Sequence, residues 1–428
     1  MINDDKMNLF KTYINDDNKA EIEKLIDGGF DVSESLLVVL ETDWKSLGII
    51  SFLVKKGADL TKVKNFLDES DILFRILNRI EGRMFLALDR ARQMHSNDRE
   101  LMSDTEKPED LPDKEQLLSF IKLLVEKGVD LTVEFNNAEN EIIASPYAHH
   151  ILDFINDHGN IINEKKQDLL FKAAEKHNLD AVKYLVKIGA DISHKNWDNT
   201  SVLSCACTSF QQAENIDLIQ FIVQSGVEID QSAVINAAKN CSLSTFKYLI
   251  ENGANPNIVG EGGETAFVEA CGSSKQSEVA EYLVDYVNDI NKSVTIWGGI
   301  LGSISDAENI SPLMLAVSTY DDGGNGSKSR FALIKKMISK GADVNHIDKE
   351  GKNVLMYSVM ACHKDMQVYP EQKQRQKTVF EECYRPVMQL LIDKGVSVSL
   401  ADNNKKTAID YAGHFIICEY LNQFNNVK

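Results

Sequence analysis

Apolar residues recur along the chain at the spacing of one face of an α-helix, and each clear run ends at a glycine. Val182, Leu185 and Val186, for example, precede Gly189. Apolar positions three and four residues apart line one side of a helix, and that side must be covered by a neighbour. The pattern therefore predicts short amphipathic helices that pack against one another.

The glycine belongs to a phrase that returns several times: a helix end, Gly, a small or β-branched residue, then Asp or Asn. A sharp turn after a helix needs a residue with positive φ, and glycine takes that conformation without a Cβ penalty. Several of these glycines are about 30 residues apart, which indicates an internal repeat. Clear copies occupy 53–59, 124–130, 185–191, 249–255 and 338–343, weaker copies have Gly29, Gly159, Gly226 and Gly395, and Val287 replaces one glycine.

A polar turn follows the glycine and leads to a second phrase, best preserved as Ser311-Pro312-Leu313-Met314. Ser311 suits a helix N-cap, and Pro312 suits the first helical position, where no N–H is needed. The preceding turns are rich in Asp, Asn and Gly, as in residues 196–199 and 348–351. Weaker copies begin at Ser201, Thr265, Asn353 and Thr407.

Together the two phrases resemble the ankyrin repeat, strongly from Gln167 to Asn425 and more weakly before it. The resemblance implies an all-α solenoid of stacked helix-turn-helix units with finger loops. We expect about ten repeats from near Met7 and a closing helix pair at 407–424. The family's Thr-Pro-Leu-His histidine is absent, which puts its loop-bracing hydrogen bonds in doubt. Its place is taken by Met314, Ser204, Val268, Met356 and Asp410.

We expect divergent repeats over residues 1–163 and clearer repeats over 164–428, ending in a C-terminal cap. Insertions interrupt both parts. The pattern predicts an extended helix and loop at 90–114, an apolar finger loop at 295–309, a flexible link at 320–329 and a longer helix pair at 363–385. The apolar insertion must either pack on its own chain or meet a partner.

Acidic residues outnumber basic residues 65 to 46, for a formal charge of −19. Such a charge opposes nucleic acid and anionic lipid and favours a basic protein surface, although acidity can also serve solubility alone. We expect no secretory signal, because the opening residues have neither a basic nor an apolar region, and no apolar run reaches membrane-spanning length. Several of its seven cysteines, such as Cys205 and Cys271, lie within apolar helical patterns, which is typical of a reducing compartment. We expect a cytoplasmic protein.

Candidate catalytic and metal-binding groups are sparse. His149, His150, Asp153 and His158 form the one dense histidine cluster, but no second spaced pair completes a tetrahedral set. The glycine-rich stretches at 260–263 and 323–326 lack the P-loop Lys-Ser/Thr and are typical of turns. Cys205-Ala-Cys207 is not a Cys-x-x-Cys motif, and Cys362-His363 places no base beside a nucleophile. We therefore expect no enzyme activity, metal or cofactor.

The resemblance implies that the chain binds a protein partner through its concave face and finger loops. An adaptor, an immunity-type inhibitor with an acidic groove for a basic toxin, and an effector delivered into a host cytosol all fit. An enzyme would require a site hidden in the 363–385 insertion. We expect a monomer with no nucleic-acid partner. The candidate partner-binding residues are Trp197, Asp198, Glu261, Trp297, Ile300, Leu301, Asp348 and Glu350.

Overall fold

The computed structural model describes the backbone of most of the chain. The described residues are 4–41, 47–66, 72–78, 113–208, 215–260, 262–273, 275–301, 304–319, 326–368 and 371–425. The 90–114 insertion lies almost wholly outside them, as does the first part of 320–329. The chain forms two compact units, 1–192 and 193–428. The sequence suggested a boundary between weaker and clearer repeats at residues 163 and 164. That boundary lies inside the helix Ile161–Glu175 of the first unit.

The first unit is built from short helices in two packed rows. Helices α1, α3 and α5 pack in chain order, as do α4, α7, α9 and α11, and α8 packs beside α10. The helices are α1 Asp4–Asn15, α2 Lys19–Asp27, α3 Val32–Glu41, α4 Leu47–Lys55, α5 Leu60–Phe66, α6 72–78, α7 Lys114–Glu126, α8 Leu131–Ala144, α9 Ala148–His158, α10 Ile161–Glu175 and α11 Leu179–Lys187.

Within this unit the aspartate of the glycine phrase caps the next helix directly. The Asp31 carboxylate accepts the backbone N–H groups of Ser33 and Glu34 at 2.8 and 2.9 Å. Asp59 and Asp130 do the same at the starts of α5 and α8. Because a capping aspartate ends the turn within a few residues, no finger loop forms at these three places.

The second unit stacks helix pairs in regular order. The first helices α12, α14, α16, α18, α20 and α23 pack side by side along the chain. The elements are α12 Val202–Ala206, α13 Ile216–Gln224, α14 Gln231–Asn240, α15 Leu243–Glu251, α16 Ala266–Gly272, α17 Ser277–Leu283, β1 Val294–Leu301, β2 Ile304–Ile310, α18 Pro312–Ser318, α19 Gly326–Ser339, α20 Val354–Gln367, α21 Lys373–Thr378, a π-helical turn Val379–Tyr384, α22 Arg385–Asp393, α23 Ala408–Ala412 and α24 Phe415–Asn425.

The inner helices form the core. Every residue of α18 is buried, and so is nearly every residue of α16. The 363–385 insertion extends α20, and α21 and the π-helical turn lie between α20 and α22.

The glycine turns have the expected conformation with two exceptions. Gly189, Gly253 and Gly341 have φ of 91, 99 and 96°. Gly159 is extended at φ −175°, so the expectation of a left-handed turn is wrong there. At Val287, α17 ends early at Leu283 and the chain turns without positive φ, because a β-branched residue resists that region.

The 295–309 insertion is a β-hairpin, which corrects the expectation of a loop in an all-helical chain. Strands β1 and β2 pair antiparallel, with Val294 opposite Ile310 and Ile296 opposite Ala307. The side chains of Ile296 and Ile310 at its base are buried. The hairpin thus extends one finger and is rooted in the core of the second unit.

Candidate protein-binding fingers

Four turns of the second unit have the geometry of ankyrin fingers. Three are closed by isolated antiparallel bridges that join Lys195 to Ser201, Val259 to Thr265 and Ile347 to Asn353. The fourth is closed by the Asp402 N–H, which donates to the Lys406 carbonyl at 2.9 Å. The last residue of each four-residue turn has positive φ: Asn199, Gly263, Gly351 and Lys405. This shared conformation explains the Asn and Gly richness of the turns.

In two fingers a tyrosine hydroxyl forms the side-chain hydrogen bond that fixes the turn, which we call the brace of the finger. The Tyr357 hydroxyl donates to the Asp348 carboxylate at 2.6 Å, and the Tyr411 hydroxyl donates to Asp402 in the same way. Burial and the neighbouring carboxylate both raise the pKa of Tyr357, so it stays a hydrogen-bond donor. Sequence reasoning missed these pairs, although Asp followed nine residues later by Tyr occurs in both fingers.

The fingers from the hairpin onward are joined through their backbones. The Lys349 N–H donates to the Glu308 carbonyl at 3.1 Å, and the Asn403 N–H donates to the Glu350 carbonyl at 2.9 Å. The side-chain amide of Asn309 donates to the Ile347 carbonyl at 2.9 Å. These contacts join the hairpin to the finger before α20, and that finger to the one before α23. The hairpin and the two fingers therefore form one row in which each is hydrogen-bonded to the next.

Trp197 lies at the tip of the first finger, and its side chain is 95% exposed. The neighbouring Asp198 is also exposed and accepts the Thr200 N–H at 3.3 Å. An indole at a turn tip adds nothing to the turn itself. This finger therefore presents a large aromatic surface beside a carboxylate.

The two candidate carboxylates of the third finger have partners within the chain. Asp348 is 5% exposed, and besides Tyr357 it accepts the Lys352 N–H at 2.7 Å. It is therefore a structural group of the turn, which corrects the expectation of an exposed rim carboxylate. Glu350 is on the surface and forms an ion pair with Lys352.

Four other candidate residues cannot be placed by their side chains. Glu261 lies outside the described residues. Trp297, Ile300 and Leu301 lie in β1, where the structure describes the backbone but not these side chains. Their role in binding stays a prediction.

The candidate metal ligands and nucleophiles can be located in the structure. Among the described residues, no three His, Cys, Asp or Glu side chains are placed to hold a metal ion. The His149 and His150 rings lie 3.7 Å apart, and burial together with His149 lowers the pKa of His150. Burial holds the pKa of the Cys362 thiol well above its usual range, which disfavours the thiolate that a nucleophile requires.

Comparison with known proteins places the repeat within a family. Residues 203–296 match the model of ankyrin repeats in 3 copies. These residues span α12 to α17 and enter β1, so the matched segment coincides with stacked pairs and a finger. The second unit thus has the helix pairs and fingers of a solenoid that generally mediates protein–protein interaction. The chain therefore contains ankyrin repeats.

Two curated relatives are much longer than the segments that this chain matches. Alpha-latrocrustotoxin-Lt1a of Latrodectus tredecimguttatus is 26% identical over 53% of this chain. The Ankyrin repeat and KH domain-containing protein mask-1 of Caenorhabditis elegans is 24% identical over 36%. The chain spans 17% and 6% of their lengths. The human ASB11 ankyrin repeat domain is 19% identical, with a TM-score of 0.43 over 59% of this chain and 96% of that domain.

Within the described ranges, no helix is both long and apolar enough to cross a bilayer.

Proposed function

We propose that the chain binds a protein partner through the fingers of its second unit, with Trp197 as an apolar anchor. The observation that carries this proposal is the 95% exposure of Trp197 at a finger tip. Buried tryptophans are among the side chains that contribute most to protein interfaces. The hairpin residues Trp297, Ile300 and Leu301 provide a second anchor, and Asp198, Glu261 and Glu350 a polar rim.

The partner in this proposal has a basic surface and meets the chain in the cytoplasm of its own cell or of a host. The formal charge of −19 supports a basic partner, because long-range attraction speeds association. An adaptor, a dedicated inhibitor and a delivered effector would share this binding mode. None of these roles requires catalysis, a metal or a cofactor.

Affinity capture followed by mass spectrometry tests the proposal. The wild-type chain and Trp197→Ala are compared. Phe415→Ala is the matched control, because the Phe415 ring is also largely exposed, at 75%. We expect a protein retained by the wild type and by Phe415→Ala but depleted about tenfold or more with Trp197→Ala. Equal retention by all three chains would show that Trp197 is not an anchor.

A further inference from the structure

One finger is missing from the stack of the second unit. Between α13 and α14 the chain has only residues 225–230. Gly226 turns with φ of 82°, and the Asp230 carboxylate already caps α14 by accepting the Ala233 N–H at 2.9 Å. Fingers precede α12 and α16, so the pair between them lacks the loop that both neighbours have.

The packing order places the missing finger between two fingers that are present. Helix α14 packs between α12 and α16. The side-chain amide of Asn236 on α14 donates to the Ser204 hydroxyl of α12 at 2.9 Å. The Lys195 amine of the first finger lies 3.6 Å from the Asp230 carboxylate. The short loop is therefore the floor of a gap in the finger row.

Exposed apolar side chains lie on both fingers that border the gap. Trp197 is 95% exposed on one finger, and Val259 is 42% exposed on the other. In an uninterrupted row, a finger would stand between them. With no finger there, only the short loop of residues 225–230 lies between them in the chain order of the repeats.

Carboxylates outnumber amines around the gap. Asp198 is exposed on the first finger, Glu228 is exposed on the floor, and Glu264 is half-buried on the far finger. Asp230 is buried and forms an ion pair with Lys195. Among the described residues of the two fingers and the short loop, four carboxylates and one amine therefore precede α12, α14 and α16.

We propose that this gap, bordered by Trp197 and Val259, binds an extended polypeptide segment that carries arginine or lysine. The inference rests on the proposed protein-binding function and names the chemistry of the bound segment. A guanidinium over the Trp197 face gains a cation–π contact, and the three outer carboxylates complement further basic side chains. The segment occupies the place of the missing finger.

Fluorescence anisotropy with a labelled peptide of alternating Gly and Arg tests the inference on the full chain at about 0.15 M salt. We expect Trp197→Ala to weaken binding about tenfold, and the triple variant Asp198→Asn, Glu228→Gln, Glu264→Gln to do the same. Two controls, Phe415→Ala and the triple variant Glu34→Gln, Glu126→Gln, Asp157→Asn, should stay within about twofold of the wild type. The second control removes the same charge from exposed carboxylates of the first unit.

Equal weakening by the test and control triples would overturn the inference, because binding would then reflect only the net charge. If a captured partner depends on Trp197 while the peptide binds all variants alike, the gap inference alone fails. If the wild type retains no protein, the proposed function itself fails.

A filled gap provides an independent test. Residues 341–353, which form the finger before α20, replace residues 226–230. The grafted chain should melt cooperatively and bind the peptide at least tenfold more weakly. Wild-type affinity in a folded graft would contradict the proposal, and the point variants decide the question if the graft does not fold.

Discussion

The aspartate–tyrosine braces show how a residue type can change while its structural task is kept. In each, a phenol hydroxyl replaces the family's histidine as the donor to the turn. Tyr357 is 3% exposed, whereas Tyr411 is half-buried. The two sites therefore have the same chemistry in different surroundings.

We expect Tyr357→Phe to lower the free energy of unfolding by about 1–3 kcal/mol, because the buried Asp348 carboxylate loses a donor. Tyr411→Phe should cost less, because Tyr411 is only half-buried and water can take the place of its hydroxyl. Thermal and denaturant melts measure both. Tyr248→Phe, at a half-buried tyrosine on α15, is the matched control, and a loss there equal to that of Tyr357→Phe would refute the brace.

Asp365 gives a prediction for pH. Burial raises its pKa to about 6, despite the hydrogen bond from Tyr384, which acts in the opposite direction. The folded chain therefore binds this proton more tightly than the unfolded chain does. The contribution is fully present below the unfolded pKa and is lost as pH rises through about 6.

Asp365→Asn should remove this dependence. The wild type should lose on the order of 1–2 kcal/mol relative to the variant between about pH 4 and pH 7. Denaturant melts at several pH values measure the difference between the two chains. A difference that does not change with pH would contradict the raised pKa.

At the scale of elements, helix ends were predictable, whereas the sequence predicted only in part which glycine phrases lead to a finger. A glycine turn depends on one local conformation, so its phrase could be read directly, as at Gly189. The same phrase leads to a finger before α16 but to a capping aspartate before α5. The two places differ in the number of residues between the glycine phrase and the next apolar run. Counting these residues in the sequence would have distinguished a finger from a directly capped helix.

The hairpin was missed for another reason. Val294, Ile296 and Ile300 have the β-branching that favours a strand, but Gly298 and Gly299 between them suggested a loop. The candidate site was predictable only in part. Trp197 stood out as an indole in a polar turn, whereas the burial of Asp348 depends on a tyrosine contributed by the following helix.

The glycine turns give a matched prediction. Gly189→Val and Gly253→Val should each destabilise by about 1 kcal/mol or more, because both positions have positive φ. Gly159→Val should cost less, since that glycine is extended and nothing lies within 4 Å of an added Cβ. Thermal melts compare the three variants, and equal losses would argue against left-handed caps.

At the scale of the whole molecule, the charge of −19 predicts which polymers the chain avoids. We expect no complex with duplex DNA or RNA in a gel-shift experiment at about 0.15 M salt, because protein and phosphates repel each other. An acidic synthetic polypeptide should likewise not bind. A nucleic-acid complex that dissociates steeply with added salt would show a basic surface that the net charge conceals.

The backbone contacts between neighbouring fingers bear on how fast their amide hydrogens are replaced by deuterium. Hydrogens on surface turns normally exchange quickly. Those of Lys349 and Asn403 are held by carbonyls of the preceding finger, so their exchange must await local separation of two fingers. Mass spectrometry of deuterated fragments should show slower uptake at these two amides than at Asp198. Equal uptake would mean that adjacent fingers separate as readily as a single turn opens.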